Sequence, residues 1–374
     1  MKKIQPFQLS RTIFLNFATV FMLTSCFGET QNIESLSAVS TLPQNKGNIY
    51  YVSPAGSDSS HGTKTQPWKT LDKANNSVTS GDTVIVQAGI YNQMLVIKKS
   101  HITFIAAGEV VTRAIEIEGN NNIVRGFTIT DPNSKAGIRT YGDNNLIENN
   151  EIYHMLEDGM WLWGRNNVIR GNYIHDIMAY DLYPEYDEHV DCFMTWVWNW
   201  PVDNLVIENN ICNHNRPHGS NQFFILTHNG TIPIKNITIR NNIFITADEG
   251  YMPIAFYGDN TITGMQIINN TFYNTTGQGA EAVYLNNMPE VYVANNVSIG
   301  YQNMVKAQSG SIVVEENNIT SPPYEMQNIQ GFDFHLLPVS PLIDAGKELG
   351  IEHDFDGNPR DESPDIGAFE YQKP

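Results

Sequence analysis

Short runs of alternating apolar and polar residues recur along the middle of the chain, and each ends in a pair of asparagines. Ile147-Glu148-Asn149-Asn150, Ile207-Glu208-Asn209-Asn210, Ile239-Arg240-Asn241-Asn242 and Ile267-Ile268-Asn269-Asn270 set the pattern. Val293-Ala294-Asn295-Asn296 and Glu315-Glu316-Asn317-Asn318 continue it, while Val124-Arg125-Gly126 and Ile169-Arg170-Gly171-Asn172 carry Gly in the turn. Counting Gly171 as equivalent to the first Asn, successive spacings are 22, 38, 32, 28, 26 and 22 residues. Period-2 runs of four to six residues read as strands, and a spacing of this size marks a stacked repeat. Asn tolerates the left-handed turn between two strands, and its side chain can bond to the equivalent Asn of the next repeat. Blades of four strands and leucine-rich spacing are both absent, so propellers and leucine-rich horseshoes are excluded.

A second strand recurs once per repeat. It runs Gly137-Ile138-Arg139-Thr140-Tyr141, Gly159-Met160-Trp161-Leu162-Trp163 and Cys192-Phe193-Met194-Thr195-Trp196. Gln222-Phe223-Phe224-Ile225-Leu226, Pro253-Ile254-Ala255-Phe256-Tyr257 and Ala282-Val283-Tyr284-Leu285-Asn286 follow. Alternation predicts an inward column of Ile138, Met160, Phe193, Phe223, Ile254 and Val283. Arg139, Trp161, Met194, Phe224, Ala255 and Tyr284 then point outward, beside Tyr141, Trp163, Trp196, Leu226 and Tyr257. So many outward aromatics are unusual on a solvated face. They predict either a sugar-binding strip or a surface that loops fold over.

These strands, turns and loops resemble the right-handed parallel β-helix superfamily of pectate lyases and their relatives. The resemblance implies an all-β solenoid with a short N-terminal capping helix, and it covers roughly residues 96–330. The segments Tyr50-Tyr51-Val52-Ser53-Pro54-Ala55-Gly56, Pro67-Trp68-Lys69-Thr70-Leu71 and Gly81-Asp82-Thr83-Val84 look like the opening of exported β-helix proteins. Leu71 to Val78 is expected to form the helix that plugs the open end, because a terminal repeat must cover its core and strand edges. Ser340-Pro341-Leu342-Ile343-Asp344, Asp354-Phe355-Asp356-Gly357 and Asp365-Ile366-Gly367 resemble the closing segment of the same proteins. Asp354 and Asp356 could meet on Ca²⁺, but turn chemistry closing the last coil is the better expectation. The expected organisation is a leader at 1–25, a flexible tether at 26–47 and a cap with the first coil at 48–95. Coils carrying the cleft follow at 96–331, and the closing segment occupies 332–374.

Charge sharpens this picture. The 374 residues hold 22 Lys+Arg against 40 Asp+Glu, a formal net charge of −18, with no basic stripe to neutralise phosphates. Nucleic acid is therefore not an expected partner. Lys2, Lys3 and Arg11 precede an apolar run, Ile13 to Leu23, that is too short to span a membrane. It ends in Leu23-Thr24-Ser25-Cys26, which resembles the lipobox of bacterial lipoprotein signal peptides. The resemblance implies lipidation at Cys26 and a cell-envelope protein held to a membrane by acyl chains, on either the periplasmic or the outer side. Losing three bases with the leader leaves 19 against 40, or −21. A monomer is expected. A Cys192–Cys212 disulfide is possible in an exported chain, and sequons such as Asn236-Ile237-Thr238 read as ladder composition.

The longest insertion, residues 179–191, packs five acids and His189 beside the aromatic column. Asp158 and Asp191 start successive strands, which sets their backbones about 4.8 Å apart. Carboxylates so close should raise one pKa or recruit a cation. The next loop adds Arg216, His214 and His218, and His228 ends its strand. The expected catalytic set is Asp158, His189, Asp191, Arg216, His218 and His228. Arg139, Tyr141, Trp161, Trp163, Arg165, Trp196 and Tyr257 are expected to bind substrate, and Asp187, Glu188 and Asp191 could hold Ca²⁺. The superfamily resemblance implies a lyase that removes the proton α to a uronate carboxyl. No Lys lies between Lys135 and Lys235, so a histidine would have to be the base. A glycoside hydrolase built on the Asp158–Asp191 pair is the alternative, and a non-catalytic glycan-binding β-helix is the third.

Overall fold

The structure is a computed structural model that describes residues 47–177, 190–197, 200–214, 221–228, 232, 234–247, 252–258, 262–308, 310–320 and 326–373, with 197, 221–225 and 227–228 described by backbone alone. It is a parallel β-helix. Each coil contributes two short strands that meet at a corner and a third strand on the remaining side. Among the described residues nineteen strands build the two legs that share the corner, and nine build the remaining sheet. Stacking starts at Ile49–Val52, which pairs in parallel with Thr83–Tyr91, which pairs in turn with Thr103–Thr112.

The register follows from the apolar alternation. Val124, Ile147, Ile169, Ile207, Ile239, Ile267 and Val293 stack coil on coil as one buried column of the first leg. Ile129, Ile152, Ile174, Cys212, Phe244 and Phe272 form the column of the second. On the nine-stranded sheet Ile138, Met160, Phe193, Phe224, Ile254 and Val283 are in register. Here the expected alternation is corrected by one residue. Phe224, not Phe223, stands between Phe193 and Ile254, and Leu226 is fully buried in register with Thr195 and Phe256 rather than outward. Two adjacent phenylalanines satisfy either parity, so the apolar pattern does not choose between them.

The asparagine doublets divide their work. The first Asn of each pair takes the left-handed conformation at the corner, at φ 55° for Asn149 and 51° for Asn241. The second is buried. From Asn150 through Asn172, Asn210, Asn242, Asn270 and Asn296 to Asn318, each Oδ1 accepts both the backbone N–H and the Nδ2–H of the preceding Asn at 2.9–3.0 Å. A second buried series, Asn122, Asn145 and Asn167, bonds the same way through backbone N–H at the other end of the first leg.

Both ends of this part of the chain are closed. Leu71–Ser77 forms the helix, capped by the Thr70 hydroxyl accepting from the Lys73 N–H, with Leu71 and Ala74 buried. The closing segment runs back along the corner. There the first asparagines donate to its carbonyls: Asn317 to Ala345, Asn295 to Lys347, Asn269 to Asp365, Asn241 to His353 and Asn209 to Phe355. Buried Arg360 bonds Glu370 at 3.0 Å and the Gly367 carbonyl at 2.8 Å. Asp354 accepts backbone N–H groups from Asp356, Asn358 and Glu370, which makes it the organiser of this turn. His335 is held between Asp333 at 2.6 Å and Asp356 at 2.7 Å, and the two carboxylates lift its pKa to about 9 against the cost of burial.

Two outcomes follow. Asn242→Ala removes the acceptor of two bonds inside the ladder, and should lower unfolding stability by about 3 kcal/mol in chemical denaturation. A loss below about 0.5 kcal/mol would remove the ladder from the forces that hold the coils. For His335 the folded pKa of about 9 lies above the ordinary 6.5, so its stabilisation is complete below pH 6.5 and fades as pH rises through 9. Thermal unfolding followed from pH 6 to 10 should show that fall, and His335→Gln should flatten it; parallel curves for the two proteins would contradict the clamp.

Candidate functional site

Two successive strands of the nine-stranded sheet, Ala136–Thr140 and Asp158–Leu162, bend at their second residue, a glycine whose Cβ would point inward. At Gly137 and Gly159 the backbone turns so that a Cβ would lie 2.6 and 2.7 Å from the Cγ2 atoms of Ile152 and Ile174 on the facing leg. One coil on, Cys192 occupies the equivalent place, and the facing residue is Cys212, in register with Ile174. The two cysteines are bonded as a disulfide across the core. Glycine against isoleucine, twice, is thus followed by a cysteine pair.

Just before this bend stand the two acids. Met160 pairs with Phe193, so Asp191 follows Asp158 by one coil, and the Asp191 N–H donates to Asp158 Oδ1 at 2.9 Å. Asp158 Oδ2 accepts from the Trp161 indole at 2.6 Å. Asp158 is 1% exposed and Asp191 0%. The pair therefore does not lie open to substrate as expected of a hydrolytic pair. Asp158 anchors the neighbouring strand and fixes the Trp161 ring.

Outward of the bend, Glu116, Arg139, Trp161 and Met194 form one column. The Arg139 guanidinium lies 4.9 Å from the centre of the Trp161 ring, and its Nη2 reaches Ser134 Oγ at 3.3 Å. In the adjoining column Tyr141 stacks on Trp163 at 5.1 Å and 14°. Trp200 meets Tyr141 edge-on at 5.3 Å, and Trp161 meets Trp163 edge-on at 5.9 Å. The Trp163 indole donates to the Trp196 carbonyl at 3.0 Å, locking its orientation. Trp196 and Trp200 are 43% and 47% exposed. The result is an aromatic shelf with the Arg139 guanidinium over one of its rings. Partial burial raises the Glu116 pKa, with Arg139 opposing and Glu118 adding. Burial also raises that of Tyr141, helped by Glu116.

Arg139, Tyr141, Trp161 and Trp163 thus come together, with Trp163 itself buried at 9% exposure, while Trp196 is tied to them through its backbone carbonyl. Tyr257 does not join them. It stands on the same face three coils beyond Trp163, tilted against Tyr284 at 5.5 Å. Arg165 is also elsewhere: it lies past the strand end, paired with Asp203 at 3.3 Å and Asp143 at 3.8 Å. His189, Arg216, His218, Asp187, Glu188 and Cys26 lie outside the described residues, and His228 is placed by backbone only, in the strand Asn221–His228. Two participants had escaped the reading of the sequence. Trp200 was legible in the alternation Trp196-Val197-Trp198-Asn199-Trp200. Glu116 gave no motif, since only the register places it beside Arg139.

Beneath the shelf, His214 is buried with Nε2 3.3 Å from Cys192 Sγ, and burial pushes its pKa down to about 4, so it is neutral at physiological pH. Among the described residues Cys192, Cys212 and His214 are the one convergent group of three metal-type donors, and the disulfide occupies two of them. Asp191 belongs to no such group among the described residues.

Comparison with known proteins places the fold. Residues 50–196 match the family described as "Pel9A-like, right handed beta helix region". The solved structure of pectate lyase Pel9A is similar at TM-score 0.53 and 18% identity, covering 87% of this chain and 97% of that one. An alginate lyase from Paenibacillus sp. str. FPU-7 is similar at TM-score 0.53 and 14% identity, covering 72% and 94%. The chain is a right-handed parallel β-helix, and at these identities the likeness is one of fold. A curated relative, the uncharacterized protein YwoF of Bacillus subtilis (strain 168), is 34% identical over 108 residues. That match spans 24% of this chain and 23% of the relative's length.

The disulfide closes the segment between Cys192 and Cys212, a sequence separation of 20 that includes Trp196 and Trp200 of the shelf. Cys192→Ala with Cys212→Ala should cost about 3 kcal/mol of stability in denaturant unfolding. A double variant as stable as the wild type would show that core packing alone holds these strands.

Proposed function

We propose that the protein is a carbohydrate-active enzyme of the bacterial cell envelope that cleaves a uronate-containing polysaccharide by β-elimination. The observation that supports it most is the Arg139 guanidinium held over the Trp161 ring beside the Tyr141–Trp163 stack. Flat rings pack on the apolar faces of sugars, and the guanidinium pairs with a carboxylate in a two-pronged geometry. The segments 178–189 and 215–220, which precede the strands Val190–Val197 and Asn221–His228 in sequence, carry the remaining candidate residues.

In this reading Arg139 neutralises the uronate carboxylate, which makes the α C–H more acidic. A histidine, His189, His218 or His228, takes that proton. The C–O bond to the leaving sugar breaks as the new C=C forms, and the leaving oxygen is protonated from Arg216 or water. Histidine suits the task because its ordinary pKa lies near neutrality. Asp187, Glu188 and Asp191 offer hard oxygen donors suited to Ca²⁺, which would add positive charge near the carboxylate. A hydrolase on Asp158 and Asp191 is disfavoured, since Asp158 already binds the Asp191 N–H and the Trp161 indole. Export and acylation at Cys26 would set the enzyme at a membrane surface, facing polymer that cannot cross it.

The mature protein should release unsaturated, ultraviolet-absorbing oligosaccharides from at least one acidic polysaccharide in a panel. Arg139→Ala should lower kcat/KM at least about a hundredfold, the scale of one charge-assisted contact to the reacting group, and a chelator tests the calcium component. New reducing ends without ultraviolet absorbance would indicate a hydrolase instead. Retention on a glycan with no product would indicate a binding protein.

A further inference from the structure

The column that begins with Trp161 regains an aromatic ring four coils on. From Trp161 the register passes through Met194, Ile225 and Ala255 to Tyr284, and then to Lys306. Trp161 and Tyr284 are therefore four coils apart on one face, about 19 Å at the ordinary strand spacing. Around Tyr284 the grouping found at Trp161 occurs again. A nearly buried acid stands three residues earlier in the same strand, Glu281 here and Asp158 there. A cation from a neighbouring coil lies over the ring: Lys306 at 5.9 Å here, Arg139 at 4.9 Å there. A second ring flanks the first, Tyr257 at 5.5 Å here and Trp163 at 5.9 Å there.

The repetition is not forced by folding. The inward places of this strand are already filled by Val283 and Leu285, both fully buried. Tyr257 and Tyr284 project from the other side, half-buried, with planes tilted by 46° into a shallow notch. Lys306 is half-exposed while its Nζ bonds Glu281 at 3.0 Å, so its charge is steered over the notch rather than left to swing in solvent. The two cations also lie at opposite ends of the row. Arg139 sits one coil before its ring and Lys306 one coil after.

We propose that Tyr257, Tyr284 and Lys306 form a second subsite, which takes an acidic sugar residue of the same polysaccharide chain. Because Met194 and Ala255 are buried, the chain would run along the solenoid axis over the adjoining column, where exposed Trp196 and half-buried Tyr257 stand in register through Thr227. The proposal rests on the function proposed above, and it adds a length requirement that the function alone does not make. An oligosaccharide shorter than the ~19 Å span engages one grouping, and a longer chain engages both.

The test compares KM for long chains and for short oligosaccharides of whichever acidic polysaccharide the full-length protein cleaves. The wild type should favour long chains by about tenfold, the worth of one cation-and-ring contact. Lys306→Gln, a half-exposed substitution that leaves the core untouched, should erase that preference, and Tyr284→Ala should do the same if it folds. The long-chain preference of the wild type should also shrink as salt is raised. A preference undiminished in Lys306→Gln overturns the second subsite and leaves the proposed function standing. A wild type that neither binds nor cleaves any acidic polysaccharide overturns both.

Discussion

The structure depends on one repeated contact: the buried Asn whose Oδ1 accepts two N–H groups from the Asn of the coil before it. A sharp corner between two strands would otherwise bury a backbone N–H with no partner, a cost of about 1–3 kcal/mol at every coil. The ladder satisfies that donor and the amide together, from Asn150 to Asn318. It works only if consecutive corners stand directly above one another, so it also fixes the coil spacing and holds the corner to two residues. Asn149, Asn241 and their counterparts supply the left-handed turn next door and then bind the closing segment with the same side chains.

Because this corner cannot lengthen, variation in repeat length has to go elsewhere. The insertions fall between the second leg and the nine-stranded sheet, at residues 176–189 and 214–220. That sheet is also the one whose outward side carries the aromatic columns. A rigid floor and variable walls are the ordinary division between scaffold and site. The disulfide is set at the same junction. It ties the strand carrying Asp191 to the strand leading into residues 215–220, beside a histidine that burial keeps neutral.

The ladder and the register of the legs were legible in the sequence because each depends on local, repeated chemistry. The Asn doublets and the β-branched alternation recur often enough to align themselves. Phe223-Phe224 was not legible, since both residues satisfy either parity and only pairing with Phe193 and Ile254 selects between them. The equivalence of Asp158 and Asp191 could be read from the strand starts, but their burial could not. It depends on the indole of Trp161 and a backbone N–H closing over the carboxylate. Cys192 is a similar case: its direction follows from the bend that Gly137 and Gly159 mark, a feature with no signature in the apolar pattern.

Acidity bears most directly on the substrate. A chain of net charge −18 repels a polyanion at long range, yet screening confines that repulsion to about 8 Å at physiological salt. Selection of an acidic ligand is therefore decided by contacts at the surface. Along the aromatic row the local arrangement is opposite to the global one. Glu116 is partly buried, which raises its pKa, and stands in register with Arg139, and Glu281 is occupied by Lys306. Arg139 lies partly exposed over an aromatic face, and half-exposed Lys306 lies over another while paired with Glu281. In the proposed function an acidic polymer would meet Arg139 where it can lie flat on the rings, and the excess of acid over base would act against unspecific adhesion.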